Sequence, residues 1–167
     1  MPGSTLIRIL LAVAVLAVSA AGVLRATSGG GAPPATGMVE RVVDGDTVIV
    51  RSGGEEERVR LLGIDTPETV DPDRPVGCFG PQASAYTKHL LTGRSVSLVY
   101  DRELHDRYDR LLAYVYLRGV FVNARLVELG YARTLSIPPN TAHATELASL
   151  ERQAAIAGRG LWGACGT

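Results

Sequence analysis

A strand that is forced to stop constrains this chain more than any other feature. Val59, Leu61 and the run from Leu62 to Ile64 are apolar and fit a sheet, while Arg60 points to the opposite face from Leu61. Asp65 breaks the pattern, and Pro67 removes a ladder donor, so strand pairing cannot continue past it. Pro67 also pushes Thr66 toward an extended conformation, which leaves its carbonyl free to turn toward a ligand. Residues 59–69 thus present one cation, Arg60, and two carboxylates, Asp65 and Glu68, on a stiffened loop at a strand end. An oxygen-ligated metal and a phosphate could be held side by side there. Taken alone, the same residues also fit a strand ending in a solvated acidic turn.

The flanking periodicity says what that strand belongs to. Residues 38–43 and 47–51 read as strands joined by a tight turn at Asp44-Gly45-Asp46. Gly53 and Gly54 make a second turn, and 56–64 returns as the third strand of a meander. Pro81 opens a helix at its first position; Ala83, Tyr86, Leu90 and Leu91 share one face and Gly93 closes it. Strands follow at 95–100 and 111–117, then a stub at 120–122. Asn123 is placed to N-cap a second helix carrying Leu126, Val127 and Leu129 and ending at Gly130. A third helix is expected over 141–157, with Leu147, Leu150 and Ala154 inward and Glu146, Glu151 and Arg152 on a solvated face. The pattern predicts an α+β domain, a five-stranded OB-type β-barrel with three helices.

The N-terminus has a different character. Residues 9–24 carry no charge, are rich in Ala, Val and Leu, and follow Arg8. The segment 1–26 reads as a signal peptide, with small residues at Ser19, Ala20 and Ala21 offering cleavage points, or as an uncleaved membrane anchor acting through 6–24. Residues 27–37 form a Gly/Pro-rich flexible linker, and 38–163 the folded domain. Either reading of the N-terminus places the domain outside the cytoplasm, extracellular or at the cell surface, with a monomer as the default. Cys78 and Cys165 are the only two cysteines, which in an exported chain points to one disulfide over two unrelated buried thiols.

Charge sets a condition on any partner. The chain has 17 basic and 17 acidic residues; Arg8 and Arg25 lie in the acid-free N-terminal segment, leaving 15 basic against 17 acidic. A protein that coats nucleic acid is normally basic, so a phosphate partner must be met here by a local cluster.

Three short segments hold the unusual polar residues: DGDTV at 44–48, RLLGIDTPET at 60–69 and HDRYDRLLAY at 105–114. In this order, together with GPQASAYTKHLL and GRGLWG, they resemble the thermonuclease family of staphylococcal-nuclease-like domains, from about Met38 to Trp162. The resemblance implies cleavage of DNA and RNA phosphodiesters with calcium, leaving 3′-phosphate ends. It implies Asp46, Asp65 and the Thr66 carbonyl as calcium ligands, Glu68 as the catalytic carboxylate, and Arg60 and Arg110 as phosphate-binding arginines. Lys88 and Arg107 match basic residues near a terminal phosphate, a weaker carry-over, and Tyr108 could supply a ring to a base. Two departures stand out. Asp109 replaces a glycine that often precedes the second arginine, where it could pair with Arg110 or face solvent. No Phe, Tyr or Trp lies between Tyr131 and Trp162, where the best-known members stack a base.

The chemistry holds without the name. Hydroxide attacks an anionic phosphodiester only when a cation and guanidinium groups offset the charge that grows on its oxygens. Arginine suits that task because its planar fork stays charged, and calcium suits an all-oxygen, irregular ligand set. Glu68 is positioned to orient or deprotonate the water. The expected function is an exported, calcium-dependent nuclease; the alternative is a non-catalytic OB-fold module that binds nucleic acid outside the cytoplasm.

Overall fold

The structure is a computed structural model that describes residues 35–166. The expected signal or anchor segment and the linker up to residue 34 lie outside the described residues. Strand β1 (Thr36–Val42) starts inside the expected linker, because Thr36 and Gly37 pair with Ser97 and Val96 on β5 (Ser95–Val99). It turns through Asp44-Gly45-Asp46 into β2 (Thr47–Ser52), where the Asp44 carboxylate accepts the Asp46 N–H at 3.0 Å. A register shift between Val39 and Arg41 lets Val39 and Val42, an odd number of residues apart, both reach the core.

The third strand departs from expectation at its end. It divides into β3 (Glu55–Leu61) and β4 (Gly63–Asp65). Gly63 sits at φ +75, and a Cβ there would come within 2.6 Å of Leu147 Cδ1, so only glycine makes this corner. Beyond it, β4 leaves the barrel and pairs antiparallel with β8 (Arg133–Leu135), setting Asp65 opposite Arg133. At three residues, β8 is too short to register as sequence alternation.

Helix α1 (Gly80–Leu91) crosses to β5, which pairs with β6 (Leu111–Leu117). The barrel closes where β3 and β6 run parallel, Val59 against Leu111 and Arg60 against Leu112. The two-residue β7 (Val120–Phe121) hangs on β6. Inside lie Val39, Val48, Val50, Val59, Leu98 and Val115, each at most 3% exposed. The result is the five-stranded OB-type barrel expected from the pattern.

The helices supply the corrections. α2 (Val122–Glu128) begins one residue before Asn123, which is fully buried and caps nothing. Its amide instead donates to the Leu62 carbonyl at 2.8 Å and accepts the Val115 N–H at 2.9 Å. It therefore ties together the end of β3, β6 and α2. α3 (Ala144–Ile156) starts three residues later than expected, after the turn at 141–143. On it Glu151 is half-buried, accepting the Thr134 N–H at 2.9 Å and its hydroxyl at 2.6 Å, so this acid anchors β8 where a solvated face was expected. A short fourth helix, α4 (Leu161–Ala164), leads to Cys165, which bonds to Cys78 across 87 residues. The chain-entropy account assigns such a closure about 4–5 kcal/mol.

Replacing Asn123 with Ala leaves one buried carbonyl and one buried N–H without partners. Urea unfolding should show a loss of about 2–4 kcal/mol; a loss below about 0.5 kcal/mol would show that these groups find other partners.

Candidate active site

The turn after β1, the end of β3, the loop after β4 and the start of β6 meet at one cavity of about 260 Å³. It is lined by Asp44, Asp46, Arg60, Asp65, Thr66, Pro67, Glu68, Arg74, Tyr108 and Arg110. Every residue expected to carry catalysis or hold the ion therefore converges there. Asp44 and Arg74 line it as well, although the sequence marked one only as a turn residue and left the other unassigned.

Arg60 is the centre of the arrangement. Its Nε stands 3.2 Å from Asp46 Oδ1 and its Nη2 3.1 Å from Asp65 Oδ1, while Nη1 donates to the carbonyls of Leu61 and Ile64, each at 2.8 Å. Those backbone bonds hold the guanidinium across the corner between β3 and β4. Asp46 is 5% exposed; its Oδ2 accepts the Thr66 N–H at 2.7 Å and the Thr66 hydroxyl at 3.0 Å. Burial pushes its carboxyl up to about 6 against the pull of Arg60, and neighbouring Asp44 adds to the rise. Among the described residues, no three His, Cys, Asp or Glu side chains stand close enough to enclose an ion. In this arrangement Arg60 bridges the two aspartates.

Glu68 heads the loop that follows. Its Oε1 accepts the N–H groups of Thr69, Val70 and Asp71 at 2.8, 2.7 and 3.0 Å. The Val70 bond above all, with those to Asp71 and Thr69 and the charge of Arg74, outweighs desolvation and holds its carboxyl below the ordinary glutamate value. Glu68 is therefore anionic and fixed, a weak base but a well-placed acceptor.

Arg110 is set by Asp106, the first acid of the HDRYDRLLAY segment. Asp106 Oδ1 accepts the N–H groups of Tyr108 and Arg110 at 2.9 and 3.0 Å, and its Oδ2 accepts Arg110 Nε at 2.7 Å. Burial works to raise this carboxyl, but those bonds together hold it below its ordinary value. Asp109 sits between them at φ +60, in the left-handed region where glycine is easiest, which explains why glycine suits the position. Its side chain is exposed, and the ion-pair partner of Arg110 is Asp106.

Tyr108 is 63% exposed and stands at the mouth, with the guanidinium carbons of Arg107 and Arg110 4.7 and 5.4 Å from its ring centre. Arg107 lines an adjoining cavity of about 520 Å³, which also receives Arg60, Arg110, Leu112, Leu135 and Ile137. The segment expected to lack a stacking ring thus contributes aliphatic side chains. Lys88 lies exposed on α1 and lines neither cavity. The helix is docked through Thr87, whose hydroxyl donates to the Gly45 carbonyl at 2.8 Å.

Residues 58–164 match the family described as staphylococcal nuclease homologue. The chain is similar to a thermonuclease of Staphylococcus intermedius, 44% identical over 125 residues, covering 75% of this chain and 74% of that protein. It is also similar to a thermonuclease of Staphylococcus hyicus, 41% identical over 127 residues and covering 76% and 75% of the two chains. The endonuclease YncB of Bacillus subtilis (strain 168) is 35% identical over 130 residues, 77% of this chain and 62% of that one.

Because Asp106 is held below 3.8 in the fold, its stabilisation is complete above the unfolded value and fades as pH falls through the folded one. Asp106→Asn should therefore cost about 1–3 kcal/mol at pH 7 and less at pH 3, below the ordinary Asp value, read by urea unfolding at both. An equal loss at the two values would show that the carboxylate charge is irrelevant.

Proposed function

The chain belongs to the staphylococcal nuclease homologue family, and from that premise we propose that it is an exported, calcium-dependent nuclease hydrolysing phosphodiester bonds of DNA, RNA or both. The observation that carries the reading is the cavity that gathers Arg60, Arg110, Glu68 and the Asp46–Asp65–Thr66 oxygen set. A module that only binds nucleic acid has no physical use for three acids beside one phosphate, since each repels it.

The oxygen set suits the ion. Asp46, Asp65 and the Thr66 carbonyl would hold calcium, whose irregular coordination accepts such oxygen donors. Bound there, calcium supplies positive charge at the phosphate oxygens. The protein's own groups do the rest. Arg110, steered by Asp106, and Arg60, steered by the carbonyls of Leu61 and Ile64, clamp the phosphate where negative charge grows. Glu68 commits Oε1 to three backbone N–H groups, which leaves Oε2 to accept a hydrogen bond from the attacking water. The water oxygen bonds to phosphorus as the bond to the leaving nucleoside oxygen breaks, the water's proton passing to solvent and the departing oxygen taking a proton from solvent. With its carboxyl held low, Glu68 acts more by orienting that water than by storing its proton. Export is supported by the Cys78–Cys165 disulfide, which an oxidising compartment maintains.

Cleavage of single-stranded DNA by the full-length chain should stop in excess chelator and return with calcium; full activity in chelator would remove the ion from this reading. Glu68→Gln and Arg110→Ala should each lower kcat/KM by at least about 10²-fold. A loss of only twofold would mean that the roles are misassigned.

A further inference from the structure

Three arginines line the candidate active site, and two are already engaged: Arg60 with Asp46 and Asp65, Arg110 with Asp106. Arg74 lines the same cavity, is exposed, and among the described residues has no carboxylate within ion-pair distance.

The loop that carries it is built to hold a position. Its base is closed by the Gly77 N–H, which donates to the Glu68 carbonyl at 2.8 Å, and by the disulfide at Cys78. A Cβ on Gly77 would meet Pro67 Cβ at 2.8 Å, so the return limb lies directly against the Pro67–Glu68 backbone. Glu68 Oε1 gathers the first three N–H groups of the loop, and Asp71 takes the N–H of Asp73 on its carboxylate and that of Arg74 on its carbonyl. Arg74 itself stands between Pro72 and Pro75, of which Pro75 limits its backbone to extended conformations.

We propose that Arg74 binds a backbone phosphate of the polynucleotide next to the scissile one, so that the loop 69–77 selects extended chains over isolated phosphodiesters. The inference rests on the nuclease reading and deepens it. Arg60 lies on β3 and Arg110 immediately precedes β6, and both are held by short carboxylate contacts, as a clamp on the reacting group requires. An uncommitted guanidinium on a surface loop has its charge available for the rest of the chain. The net balance beyond the N-terminal segment, 15 basic residues against 17 acidic, offers no diffuse attraction, so a free cation beside the site carries more of the steering.

The test compares full-length wild type, Arg74→Ala and Arg74→Lys with calcium on two substrates, a single-stranded oligothymidylate and a mononucleoside aryl phosphodiester with one phosphate. Arg74→Ala should raise KM on the oligonucleotide about five- to tenfold with kcat within about twofold, and leave kcat/KM on the single-phosphate substrate within about twofold. Arg74→Lys should recover most of the KM. The slope of log KM against log salt should fall by about 0.7 in the Ala variant, the contribution of one phosphate contact on a single strand. An unchanged oligonucleotide KM and salt slope would overturn the proposal, and so would equal losses on both substrates, which would put Arg74 on the scissile phosphate. A wild-type chain that cleaves neither substrate would remove the nuclease reading and this inference with it.

Discussion

The site depends on the parallel pairing of β3 with β6. In a barrel, the strand that closes the sheet is the one whose end meets a strand distant in sequence, and here the register sets Val59 beside Leu111 and Arg60 beside Leu112. Arg110 immediately precedes the paired stretch on one strand, and Arg60 lies within it on the other. Two guanidinium groups fifty residues apart in sequence therefore face one cavity because backbone hydrogen bonds hold them there. Shifting that pairing by one residue would turn Arg60 toward the apolar interior and Leu61 toward the cavity.

Like charges held this close need local restraint, and each arginine has its own. Arg60 is fixed by two carbonyls at the corner where Gly63 turns the chain, and by the aspartates on either side. Arg110 is fixed by Asp106, which also shapes the loop leading into β6. The acids are restrained in the same way. Thr66 binds Asp46 through both its backbone N–H and its hydroxyl, and the loop after Glu68 wraps three N–H groups around one carboxylate oxygen. Little side-chain freedom is left at this cavity, which is the physical content of a preorganised site.

Much of this was legible from residue order, and the failures share a cause. β6 could be read residue for residue because alternation and flanking turns define it locally. Asn123 was misread because Asn before an apolar helix is a strong local capping signal, whereas its actual partners, Leu62 and Val115, become neighbours only once the barrel closes. Glu151 looked like a solvated helix residue until β8 came within its reach, and β8 itself is too short to show a period. Asp106 could have been found from its spacing, since an acid four residues before Arg110 at a tight turn is placed to orient it.

By itself, the order of residues determined the strand-breaking Asp-Thr-Pro-Glu loop, the five-strand barrel pattern and the cysteine pair, which follow from local sterics, hydrophobic period or simple counting, and the family, which follows from the resemblance of its motifs. Only the tertiary structure decided that Arg60 bridges Asp46 and Asp65, that Asp106 rather than Asp109 holds Arg110, and that Arg74 stands uncommitted at the same cavity. Those relations join residues from different elements, and electrostatic pairing depends on distance in space, which sequence separation does not reveal.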